Sequence, residues 1–151
     1  MTSEQRILML EQKLKTLQML YASALADATV RYGDAGILDE ITEQKRAEQM
    51  KTGASMAERL GVRAPSQAFQ KTQDICGCAN WACEETQGGF TATCTQCMLC
   101  SISKKMGAYS PCRVFCLSPI EAMIQGLAPN AGFTVTETLW ESGQCRVSVT
   151  L

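Results

Sequence analysis

Apolar residues in the first thirty positions fall on a three-and-four beat. Ile7, Leu10, Leu14, Leu17, Tyr21, Ala24 and Ala28 share one face of a helix predicted over residues 3 to about 31. Thr2 or Ser3 can cap its start; Tyr32, Gly33 and Asp34 supply a stop, with Gly33 as the expected left-handed residue. The face is expected to pack on the next helix of the same chain. Its seven-residue repeat also admits a homodimeric coiled coil, for which three heptads is the lower limit. A second helix is predicted from about Asp34 or Ile37 to Leu60, with Ile41, Met50, Ala54, Ala57 and Leu60 inward and EQKRAEQMK in water. Gly53 weakens its middle, and Gly61 and Pro65 end it. Residues 65–73 suit a short third helix carrying Phe69.

The pattern breaks near residue 74. From there to Cys116 the chain holds eight of its nine cysteines, few aliphatics, and Gly77, Gly88, Gly89 and Gly107. Such a stretch is poor material for a conventional core and is expected to fold around something it binds. Periodicity returns in SPIEAMIQGL, a helix with Ser118 as N-cap, Pro119 in the first turn and Glu121 closing a capping box. FTVTETLW and QCRVSVTL then alternate and, joined by ESG, read as an antiparallel β-hairpin. The expected class is α+β in one domain: a helical region (1–73), a cysteine-rich region (74–116), and a helix with a β-hairpin (117–151).

Composition narrows the chemistry. A formal charge of −1 gives no electrostatic case for nucleic acid or a membrane surface. No apolar run reaches the roughly 18 residues of a membrane helix. MTSEQRILMLEQ interrupts its apolar pattern with Glu4, Arg6 and Glu11, so no signal peptide is read there and a cytoplasmic location is expected. Reduced thiols in that compartment read as ligands rather than disulfides, and the odd count of nine agrees. The absence of histidine removes imidazole ligands, Ser–His and Cys–His pairs, and a His-ligated haem.

The cysteines fall as C-x-C-x4-C (Cys76, Cys78, Cys83), C-x2-C-x2-C (Cys94, Cys97, Cys100), C-x3-C (Cys112, Cys116) and a distant Cys145. Two intervening residues let successive sulfurs turn toward one centre while backbone amides stay free to hydrogen-bond them. An all-sulfur shell suits an iron–sulfur cluster or Zn²⁺. The triple beat favours the cluster, with Cys112 as the nearest fourth ligand. A second site would draw on Cys76, Cys78 and Cys83 with Cys112 or Cys116. Cu(I) is the third choice, given the CxC pair with Met98 and Met106 nearby. Cys145 alternates within a strand and is equally a small core residue. Trp81 is a candidate shield, Lys104, Lys105 and Arg113 are candidate counter-charges, and Asp74, Glu84 and Glu85 are the carboxylates near enough to act as a base.

Two stretches carry a resemblance. LYASALADATVRYGDAGILDEITEQKRAEQMKTGASMAERLG, with its joint at Tyr32, Gly33 and Gly36, resembles the helical region of L-2-amino-thiazoline-4-carboxylic acid hydrolase-like proteins. CLSPIEAMIQGLAPNAGFTVTETLWESGQCRVSV, ending on Gly143 and Cys145, resembles the tail of that family and of four-vinyl reductase domains. The resemblance implies an α+β domain that holds small molecules, in some members with zinc. Cys116, Glu137 and Cys145 would match three zinc ligands of the four-vinyl reductase pattern, while Trp140 stands where a further cysteine is expected. The cysteine triplet lies outside the resemblance. Three functions follow as expectations: an iron–sulfur protein for electron transfer or an accessory subunit of a redox enzyme; a hydrolase of a small sulfur- or nitrogen-containing ring; and a small-molecule or metal sensor or carrier.

Overall fold

A computed structural model describes residues 1–151. Its order is α1 (Ser3–Asp34), α2 (Leu38–Leu60), α3 (Gln67–Cys76), β1 (Ala82–Thr86), β2 (Gly89–Cys94), α4 (Met98–Lys105), a π-helical turn (Cys112–Leu117), α5 (Ser118–Leu127), β3 (Gly132–Glu137) and β4 (Cys145–Thr150). The class is α+β. The four strands form one antiparallel sheet in the order β1-β2-β4-β3, so the hairpin from the cysteine-rich stretch pairs with the C-terminal hairpin. Phe90, Ala92, Cys94, Cys145, Val147 and Val149 turn to the buried face, where Ile120, Met123 and Ile124 of α5 meet them. Phe69 of α3 is fully buried, edge-on to Trp81 at 4.8 Å and Phe90 at 6.0 Å and stacked with Phe133 at 6.3 Å.

Thr2 and Gln5 form a reciprocal capping box at the start of α1. The expected inward face is not the packed one. Ala22, Ala26 and Thr29 are buried, and α1 lies mainly on α4. Ile7, Leu10, Leu14, Leu17 and Tyr21 stay exposed, because only the last residues of α3, Ile75 and Cys76, come near this part of the helix. The left-handed residue after α1 is Gly36, φ 72°. Gly33 sits inside the helix, where the Tyr109 ring occupies the place of a side chain. Tyr109 also donates its hydroxyl to Asp34 at 3.1 Å.

The capping box expected at Ser118 does not form. Helical backbone begins six residues earlier, and the Ser118 N–H donates to the Arg113 carbonyl, a five-residue step. Pro119 has no N–H to give, so a wider turn before it is the local solution. Glu121 is released from capping and takes the Arg46 guanidinium at 3.0 and 3.4 Å, tying α5 to α2.

Where α2 crosses α5 the backbones touch. A β-carbon on Gly53 would coincide with the Ala122 carbonyl, and one on Gly126 would meet the backbone of Ala54. Gly53→Ala adds helix propensity of about 1 kcal/mol, yet it must push the two helices apart. The expected outcome in urea unfolding is a net loss of roughly 1–3 kcal/mol; equal or higher stability would contradict this packing.

Candidate metal centre

Residues 77–80 leave α3 through a left-handed Gly77 and run beside residues 95–98. Asn80 clamps the two segments. Its side-chain oxygen accepts from the Thr95 and Gln96 amides, both at 2.9 Å, and its amide donates to the Thr95 hydroxyl at 2.9 Å. The Met98 N–H donates to the Cys78 carbonyl at 2.6 Å, and Ala79 bridges to Cys97. These bonds set Cys78 against Cys97. Cys97 is the N-cap of α4 and its sulfur accepts the Cys100 N–H at 3.4 Å. Cys100, in the first turn of α4, lies 3.5 Å, sulfur to sulfur, from Cys112 at the head of the π-turn.

The strict three-residue beat therefore divides. Cys97 and Cys100 share the α4 terminus and join Cys78 and Cys112 in a chain of sulfurs. Cys94 ends β2 and faces Cys145 on β4. Both groups, Cys78 excepted, line one small apolar cavity, which holds Cys94, Cys97, Cys100, Cys112, Cys116 and Cys145 under Trp81. An adjoining apolar cavity, walled also by Tyr21 and Leu99, holds Cys76, Cys78 and Cys116. Cys83 alone lies apart, exposed on β1 with its sulfur 3.9 Å from the Ser66 carbonyl. All nine are free thiols. No three side chains of Cys, Asp or Glu are already drawn around one point in the manner of a bound ion.

The electrostatics alternate along the chain of sulfurs. Cys97 is held down to a pKa of about 3, first by the Cys100 thiol, then by the Cys78 thiol and by the amides of Cys100 and Leu99 at the helix start. Cys112 is lowered to about 7, chiefly by Cys100 and also by the Ser110 hydroxyl. Cys100 and Cys78 are pushed up as the donors, and burial adds to both. In the second group Cys145 is pushed up by the neighbouring Cys94 and by burial, while the Cys94 thiol donates to the Gln96 carbonyl at 3.0 Å. Desolvation raises Cys116. Cys97 and Cys112, the sulfurs drawn down, thus each have a thiol beside them, an arrangement a cation would relieve by displacing protons.

Of the expected counter-charges, Lys104 lines the open cleft over Cys78, Cys97 and Cys100, but its ammonium is turned aside. Lys104 donates to the Leu139 carbonyl at 2.9 Å and sits over the Trp140 ring. Arg113 lines a separate cleft with Arg46. Glu84 and Glu85 are exposed on β1, and Asp74 accepts from Gln70. Glu137 takes hydrogen bonds from Ser142 and Gln144 within its own hairpin connection and lies outside the sulfur-lined cavity. An open cleft of about 780 Å³ over Cys78, Cys97 and Cys100, walled by Asn80, Ser101 and Lys104, has no signature in the sequence pattern. Asn80 is the missed residue of consequence; an asparagine two places after a CxC pair is its only trace.

In metal-free protein a mild two-electron thiol oxidant is expected to join Cys100 to Cys112 first, with loss of two hydrogens, since their sulfurs need the least movement to bond. Peptide mapping by mass spectrometry checks this. A first-formed bridge to Cys83 would contradict the geometry.

No protein-family model, curated protein or solved structure matches this chain.

Proposed function

We propose that this is a small cytoplasmic iron–sulfur protein, carrying electrons itself or serving as an accessory subunit of a redox enzyme. One observation carries the reading: eight of the nine cysteines line two adjoining cavities that share Cys116. Packing alone does not call for such a gathering, since a free cysteine is replaceable in a core by any small apolar residue. Cys78, Cys97, Cys100 and Cys112 are the proposed ligands. A donor set of thiols alone suits iron and sulfide, and such a centre would supply one-electron transfer at a potential tuned by amide hydrogen bonds and burial.

The cavity admits only about 10 Å³ as it stands. Binding a cluster requires the sulfurs to separate, and Cys78, Cys97 and Cys100 have room to do so because they also face the open cleft. That cleft is where a redox partner or small molecule would approach the centre. The Leu99 and Cys100 amides beside Cys97 are the donors placed to stabilise thiolate charge. Nine free thiols fit a reducing compartment.

Zinc is the second reading, and a specific distance favours it. Four thiolates around Zn²⁺ at about 2.3 Å stand about 3.8 Å apart, close to the 3.5 Å between Cys100 and Cys112.

Protein purified without oxygen is expected to contain iron and acid-labile sulfide in equal amounts and to absorb broadly in the visible. Cys97→Ser and Cys112→Ser should each weaken metal retention by roughly tenfold or more, whereas Cys83→Ser should leave it unchanged. A colourless protein with stoichiometric zinc selects the second reading. Protein that takes up neither metal refutes both.

A further inference from the structure

The first half of α1 is a bare arm. Residues 3–17 extend about 22 Å at 1.5 Å per residue, and none of them is buried. The arm continues a helix already nucleated on the body, so it needs no partner to stay helical, but nothing in its own chain covers its apolar side chains. Ile7, Leu10, Leu14, Leu17 and Tyr21 line up as a seam, while Leu8, Met19 and Leu20, exposed as well, lie off it. With Ile7 as position a, the a positions are Ile7, Leu14 and Tyr21, and the d positions are Ser3, Leu10 and Leu17. The five large ones are 47–63 % exposed. At its body end the seam runs into an apolar groove of about 270 Å³ formed by Leu14, Leu17, Tyr21, Ile75 and Cys76 beside Gln18.

The flanking charges choose the occupant. The e positions are Glu4, Glu11 and Gln18; the g positions are Arg6, Lys13 and Leu20. In a parallel pair each g residue faces the following e residue of the other helix. Arg6 of one copy then meets Glu11 of the other, twice by symmetry. In an antiparallel pair g faces g, which sets Arg6 and Lys13 against their own kind, and e faces e, which sets glutamates together. Both members of the favourable pair belong to this one chain, so the seam is complementary to itself. One layer, Ile7 at a with Leu10 at d, has the combination that favours two strands. Gln18 donates to the Ile75 carbonyl of its own chain at 3.0 Å, which marks where the arm joins the body and the seam reaches its limit.

We infer that residues 3–21 pair with the same residues of a second copy as a short parallel coiled coil. The two copies of the Ile75–Cys76 corner then lie at the same end of the coil, on opposite sides of its two-fold axis. The inference rests on the arm alone and is independent of any metal.

Sedimentation equilibrium on the full chain tests it. The expected mass is about twice 16.5 kDa at high concentration, falling toward the single value on dilution. Leu10→Glu combined with Leu17→Glu should give a monomer with unchanged circular dichroism, since neither side chain belongs to the folded core. Arg6→Glu should raise the dimer dissociation constant by roughly tenfold, and Arg6→Glu with Glu11→Arg should restore it. A monomer at every concentration, a stoichiometry other than two, or a dimer untouched by the leucine changes overturns the proposal. So does an Arg6→Glu variant that binds more tightly, because that is the antiparallel sign.

Discussion

Contact between the backbones of α2 and α5 is the constraint on which the rest of the structure depends. Gly53 and Gly126 let the helices touch without intervening side chains, and the Arg46–Glu121 pair closes the same interface nearer the start of α5. α5 is thereby fixed against the sheet, with Ile120, Met123 and Ile124 filling the space between. The π-turn that precedes it has no freedom of its own. Cys112 and Cys116 consequently arrive opposite the ends of β2 and β4 and the start of α4, and the sulfurs meet there.

Around that meeting point, structure and chemistry oppose each other. Protonated thiols pack acceptably in an apolar hole, but Cys97, half-buried at the start of α4, accepts the Cys100 N–H and has its pKa drawn well down. The nearest lysine is turned to a carbonyl and an aromatic ring. Negative charge on sulfurs gathered this closely is costly without a cation beside them, and a bound metal would remove that cost. The open cleft over Cys78, Cys97 and Cys100 gives such a group both entry and a face toward solvent.

Elements with a strong period were legible in the sequence: α2, α3, α5 and the C-terminal hairpin fall near their expected places, as does the extent of α1. The buried side of α1 was not, since the apolar stripe belongs to its free half and small residues, Ala22 and Ala26, make the contact with the body. In the cysteine-rich stretch the beat of three hid ordinary structure. Phe90, Ala92 and Cys94 alternate inward as a strand after the Gly88–Gly89 turn, and MLCSISKK is a helix. Equal spacing in sequence thus spans a strand end, an N-cap and a first helical turn, so Cys94 faces Cys145 across the strands while lining the same cavity as Cys97 and Cys100. The partnership of Cys78 with Cys97 depends on Asn80, and no spacing rule reveals a side chain that clamps two loops.

Metal-edge X-ray absorption on protein isolated without oxygen addresses the central claim most directly, because it reads the nearest neighbours of whatever the cysteines hold. The account predicts a first shell made of sulfur throughout, lost when Cys97 and Cys112 are both replaced by serine. A first shell of oxygen or nitrogen, or an all-sulfur shell that survives that double replacement, would contradict it.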